Sequence, residues 1–323
     1  SRGLGDVYKR QELCFVAFCA FTLIIIFAGV QNGIERVSKI MMPILIVLSV
    51  IIAVYSVTRP GALAGVKYFL VPNVKNFSWM TVVSAMGQMF YSLSIAMGIL
   101  ITFGSYMKKD TAIEDSTRNV EIFDTGIAIM AGLMIIPAVF AFSGGDPDTL
   151  QAGPSLMFIT IPKVFQNMGF GTVIGIVFFL LVLFAAVTSS IALTESAVST
   201  FEDELGWGRK KATVLVGVIM LALGSLSSLG YGPLAGIKII GMQFLDLFDF
   251  LTNSVMMPIA ALLTSLFVSR VVGIDKIEAE IIHGESAFRR KKVFVVMIKY
   301  LCPVFAIIIL LSSVANALGW IKM

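Results

Sequence analysis

The stretch GQMFYSLSIAMGILITFG, residues 87–104, decides how the chain is read. Its apolar content is that of a membrane helix, yet Ser92 and Ser94 stand in its middle, and Gly87, Gln88, Ala96 and Gly98 add small and polar residues beside them. Backbone groups in hydrocarbon need partners, so irregular chain at that depth is tolerated only where it is buried in protein or lines a cavity. A helix that breaks here frees carbonyl and hydroxyl oxygens for an ion or a polar ligand. The same residues also suit close helix packing through small side chains. The stretch alone does not separate the two readings.

Composition sets the class. The chain is 58% hydrophobic and 14% charged, where soluble domains average roughly a quarter charged. Its mean hydropathy is +0.94. This is a polytopic, all-α membrane protein. The net charge of +4 comes from short basic clusters between apolar runs, which gives no basic face for nucleic acid. Cys14, Cys19 and Cys302 form no metal or disulfide framework and read as small buried hydrophobes.

Outward from the central stretch, the chain divides into apolar spans. Residues 1–11, SRGLGDVYKRQ, have neither a signal-peptide core nor helical periodicity. They resemble translated adapter sequence and are expected to stand outside a transmembrane domain over 12–323. Spans are expected at 12–30, 40–57, 79–107 (the broken segment), 120–142, 171–201, 212–226, 242–268 and 293–318, eight crossings in all. Residues 58–78 read as a connector after the breaker cluster Arg59-Pro60-Gly61. Residues 143–170 are interrupted by Pro162 and too short to span; they read as a capping hairpin of short helices. The segment from 269 to Lys292 reads as a charged loop. Basic clusters at Arg36 and Lys39, Lys108, Lys109 and Arg118, Arg209 to Lys211, and Arg289 to Lys292 fall in alternate loops, which makes that side cytoplasmic. The first span then enters from outside, an orientation that suggests preceding helices.

The motifs GVQNGIERVSKIMMP, GQMFYSLSIAMGILITFGSYMKKD, AGPSLMFITIPKVF, FAAVTSSIALTES with FEDELGWGRKKA, and LDLFDFLTNSVMMPIAALL, in this order and spacing, resemble the bacterial branch of the neurotransmitter:sodium symporter family, with its leucine-transporter-like fold. The resemblance runs from about residue 30 to the end. It implies a multi-pass bundle with a broken helix in a bacterial inner membrane. The eight segments become helices four to eleven, containing the second five-helix inverted repeat together with helices four, five and eleven. Helices one to three, with the other broken helix, are absent. The implied activity is sodium-coupled symport of an apolar or aromatic amino acid by alternating access, with a small-molecule substrate, the lipid membrane and sodium as partners. Chloride dependence and oligomeric state are left open.

Residue by residue, Ala185, Thr188 and Ser189 share a helix face by their offsets of three and four. They offer a carbonyl and two hydroxyls to a cation, although such hydroxyls also bond back to the preceding turn. The resemblance matches them to one sodium site. Asp124 begins an apolar run and is a functional candidate because a carboxylate at membrane depth needs a partner; its alternative is an interfacial helix cap. With Ser92 it matches the other sodium site. By resemblance Tyr91 is an aromatic lid, Ser92 and Ser94 belong to the unwound backbone, and Met97, Ser189 and Leu193 line the side-chain pocket. Met97 and Leu193 also suit ordinary core packing. Gln88 and Asp249 match an external gate, and a solvated helix end is the other reading of Asp249.

No catalytic constellation is present in the sequence. The sole histidine, His283, has no partner motif, so an enzyme is not expected. The nearer rival is a proton-coupled or exchange-type transporter of a related broken-helix fold, with Asp124 or Glu195 carrying the proton.

Overall fold

The computed structural model describes residues 2–146, 148 and 155–322. Among them the regular elements are helical, apart from one isolated antiparallel bridge between Ile239 and Met242. In chain order the helices are α1 (Arg2–Phe27), α2 (Val30–Val57), α3 (Ala62–Leu70), α4 (Trp79–Ser92), α5 (Ile99–Ser105), α6 (Ile113–Ser143), α7 (Leu156–Gln166), α8 (Gly171–Leu205), α9 (Arg209–Leu229), α10 (Phe244–Val272), α11 (Ile274–Gly284) and α12 (Lys291–Ala317). Seven of them, α1, α2, α6, α8, α9, α10 and α12, are long and apolar enough to cross a membrane. The eighth segment expected, residues 79–107, forms the α4–α5 pair, each helix of which is shorter than a membrane span.

Three details differ from the sequence reading. Helix α1 begins at Arg2 and takes in residues 2–11, because extending a helix already formed downstream costs far less than nucleating one. The connector contains α3, which starts directly after Gly61, so the breaker cluster marks a helix start. The charged loop contains α11, whose Ile274, Ile277 and Ile281 make an apolar stripe among charged residues, with Ile281 buried. Of the expected hairpin, α7 is present, while residues 147 and 149–154 lie outside the described residues.

Prolines shape several helices. Pro162, Pro258 and Pro303 each follow a wide π-type stretch, at Leu156–Thr160, Phe250–Met256 and Met297–Leu301. Proline removes an N–H and crowds the carbonyl four residues earlier, and a wider turn accommodates both effects.

The chain forms two compact units. The first comprises Ser1–Gly33, Ser78–Val120 and Ser190–Met323, the second Ile34–Phe77 and Glu121–Ser189. In the first unit α1 lies along α9, where Gly217 and Gly224 admit Leu23 and Phe15 so closely that a Cβ would collide with them. Close approach over small residues is the usual way helices associate in lipid. Phe90, Ala261, Ala306 and Ile309 form a further buried cluster joining α4, α10 and α12. In the second unit Ile52, Ala138, Val139, Ile161, Val164 and Phe178 build a core from α2, α6, α7 and α8. There Ser56 donates to Met134 O at 2.7 Å, satisfying a hydroxyl that would otherwise be costly to bury.

Candidate functional site

Helix α4 starts cleanly. Ser78 caps it, and Thr81 returns the bond to the Ser78 backbone, closing a capping box. The helix stops at Ser92, and residues 93–98 are unwound before α5. Ser94, Ala96 and Gly98 have φ of 55°, 63° and 80°, so every second residue is left-handed. A non-glycine residue there costs roughly 1–3 kcal/mol and persists only when its surroundings hold it. The helical ladder gives way to a bond from Ser94 N–H to Tyr91 O, one from Ile95 N–H to Phe90 O and a long one from Met97 N–H to Ser94 O. Helical bonding resumes with Thr102 N–H to Gly98 O at 2.9 Å. The broken helix read from residues 87–104 is therefore present, with the break narrowed to six residues. The segment rests on α8, where Ser196 Oγ donates to Met97 O at 3.4 Å. A Cβ on Gly98 would lie 2.6 Å from that same oxygen, so both φ and space demand glycine at 98.

Beside the break is a cavity of about 280 Å3 whose lining includes Tyr91, Asp249, Asn253, Ser254 and Ser313. Tyr91 and Asp249, the expected lid and gate, thus face one space. Asn253 donates to Asp249 Oδ1 at 2.5 Å, which fixes the carboxylate. Both residues sit at or beside the wide Phe250–Met256 stretch, so the turn ahead of Pro258 also shapes the cavity. Gln88 lies next to the lining residue Gly87 and is exposed. Met97 is half-buried in the unwound segment.

On α8 the face bearing Ala185, Thr188, Ser189 and Leu193 is open. Ser189 and Leu193 are exposed, and Ala185 and Thr188 are half-buried. Thr188 donates to Phe184 O at 3.1 Å and to Ala185 O at 2.9 Å, the back-bond anticipated as the alternative. Donation leaves the hydroxyl lone pairs able to meet a cation. Asp124 lies in α6 eleven residues beyond Ile113 (124 − 113), about 16 Å along the axis. The acidic residues of the first turn are Glu114 and Asp115, so a first-turn cap is not the role of Asp124. The second unit contains Asp124, Ala185, Thr188 and Ser189, whereas Tyr91, Ser92, Ser94, Met97, Leu193 and Asp249 fall in the first.

One constellation escapes the sequence reading. Glu195 on α8 is fully buried. Arg209, at the start of α9, grips it with both terminal nitrogens, Nη1 to Oε1 at 3.0 Å and Nη2 to Oε2 at 2.6 Å. Arg209 Nε also donates to Ile26 O at 2.9 Å, and Tyr106 O–H to Glu195 Oε1 at 2.6 Å. From the sequence, Arg209 stands only as part of a cytoplasmic cluster. The available signal is Glu195 itself, a carboxylate inside the apolar run FAAVTSSIALTES. Among the cysteines Cys19 is buried, but Cys14 is exposed and Cys302 half-buried, which corrects the expectation of three buried hydrophobes. Cys14 faces outward from α1, where a thiol is apolar enough to meet lipid. Among the described residues no three metal-binding side chains cluster.

Seven long apolar helices, together with a helix broken at strained backbone, define an integral multi-pass membrane protein of the broken-helix kind. The chain belongs to the sodium:neurotransmitter symporter family, whose model matches residues 3–320. It is 34% identical over 300 residues to an uncharacterized sodium-dependent transporter of Bacillus subtilis, YhdH, covering 93% of this chain and 66% of that protein. An uncharacterized sodium-dependent transporter of Haemophilus influenzae is 31% identical, over 92% of this chain and 64% of its own length. The crystal structure of MhsT in complex with L-phenylalanine superposes with a TM-score of 0.78 at 35% identity, covering 92% of this chain and 66% of that one. These relatives are transporters, not enzymes. The chain spans about two thirds of their length.

Proposed function

We propose that this chain belongs to a sodium-coupled symporter that carries an apolar or aromatic amino acid by alternating access. The observation that supports this reading is the unwound 93–98 segment with its left-handed residues, which follows directly on the end of α4, where Tyr91 lines a cavity together with Asp249. A broken membrane helix that lines a cavity is the arrangement by which such folds hold ions and substrates. A leucine transporter of this same family is itself an example of that arrangement, so the generalisation partly describes relatives of this chain. The binding of L-phenylalanine by MhsT supports an apolar or aromatic substrate.

In this reading Tyr91 closes over the substrate, Ser92 and Ser94 present the unwound backbone, and Met97, Ser189 and Leu193 contact the side chain. Gln88 and Asp249 serve the external gate. Ser92 with Asp124 holds one sodium ion, and Ala185, Thr188 and Ser189 supply oxygens to a second. The protein resides in a bacterial inner membrane. Of the two carboxylates open to a proton-coupled exchange mechanism, Glu195 has both oxygens engaged by Arg209, which leaves that alternative to Asp124. Uptake of labelled L-phenylalanine into proteoliposomes by the full-length protein tests the proposal. Uptake driven by an inward sodium gradient is expected, and uptake undiminished when choline replaces sodium contradicts it.

A further inference from the structure

Two carboxylates in the first unit hold each other's helix starts. Glu285, just after α11, accepts the backbone N–H of Glu114 at 3.3 Å and of Asp115 at 3.2 Å, in the first turn of α6. Glu114 in turn accepts the N–H of Arg289 and of Arg290, both at 3.0 Å, immediately before α12. The Glu114 side chain is only 12% exposed, and Arg290 Nε stands 3.9 Å from it. Lys291 pairs with Glu278, tying the start of α12 to α11. Gly284 lies against Thr111 O with no room for a Cβ.

A helix start leaves N–H groups without partners, and a residue of the same segment usually caps them. Here the caps are exchanged. The N-terminus of α6 depends on a carboxylate from the loop before α12, and the approach to α12 depends on a carboxylate from α6. Separating the two loops uncovers four backbone N–H groups and both carboxylates together. Neither loop can yield alone.

We infer that residues 111–115 and 284–291 form a cooperative latch that opens and closes as one body. Because α5 joins α6 through residues 106–112, the latch couples the inner half of the broken helix to the last span. This follows from the loop geometry and does not depend on what the protein transports.

Hydrogen exchange on the full-length protein in nanodiscs tests it, comparing wild type with Glu114→Gln and Glu285→Gln. A glutamine keeps the shape but turns an NH2 toward one of the two N–H groups it should accept. Either substitution is expected to speed exchange at least tenfold at both amide pairs, 114–115 and 289–290, with the middle of α9 unchanged. Acceleration confined to the pair that the altered carboxylate holds, or no acceleration, overturns the latch. Should a glutamine variant fail to fold, wild type decides. Equal opening rates for the two pairs support the latch, and rates more than tenfold apart contradict it. Gly284→Ala, which leaves both carboxylates intact but crowds Thr111 O, should also speed both pairs.

Discussion

The unwound segment and the Glu195 network meet on neighbouring residues of α8, yet they treat polar groups in opposite ways. At 93–98 three left-handed residues interrupt the helical ladder, and Ser196 reaches the segment at Met97 O. One residue earlier on the helix, Glu195 is buried with each oxygen met by an Arg209 nitrogen and a third donor from Tyr106. The first place carries left-handed backbone and interrupts the helical ladder. The second satisfies every group it buries. In a low-dielectric setting the difference separates a site from a brace, because unpaired polar groups are expensive there and are kept only for use.

The largest expected effect comes from breaking the brace. Arg209→Met leaves the Glu195 carboxylate buried without its partner, and loss of one member of such a pair costs about 3–5 kcal/mol. A clearly lower unfolding midpoint in detergent is expected, partly restored by adding Glu195→Met. An unchanged midpoint for Arg209→Met would mean that the pair braces nothing.

Next is Gly98→Ala, which adds a Cβ at φ 80° against Ser196 Oγ. A loss of about 1–3 kcal/mol is expected from the backbone strain, with part of the damage relieved by Ser196→Ala. If Gly98→Ala binds ligand and melts like wild type, the segment is more pliant than its geometry implies.

A smaller change is expected at the ion sites. Asp124→Asn keeps an oxygen but deletes a charge, and should weaken apparent sodium affinity about tenfold, or 1.4 kcal/mol. Ser189→Ala should also weaken sodium binding. Wild-type sodium affinity of Asp124→Asn would remove it from the site.

The smallest effect concerns the substrate. Leu193→Ala should tilt preference toward bulkier amino acids by about 1 kcal/mol, read as relative affinities across a ligand series. Unchanged ratios would place Leu193 outside the pocket.

Much of this is legible in the sequence because membrane helices announce themselves by length and hydropathy, and the break by Ser92, Ser94 and Gly98 inside one apolar run. The boundary of α6 is harder to see. Residues 114–119 are polar, and only the structure places them on the helix that carries Asp124, well past its first turn. Helix α11 is hidden because charge density outweighs its isoleucine stripe. The Glu195–Arg209 pair is hidden because its partners are fourteen residues apart on different helices (209 − 195) and no local pattern marks such a meeting. The Thr188 back-bond is one of the two readings that the sequence allows, and the hydroxyl makes it to Phe184 O and Ala185 O.

The central claim is that the broken helix is a sodium-coupled ligand site. The most direct test is equilibrium binding of L-phenylalanine to the full-length protein in sodium chloride and in choline chloride of equal strength. Saturable binding that requires sodium, and that Gly98→Ala abolishes while a folded protein remains, is the predicted result. Equal binding in the two salts would contradict it.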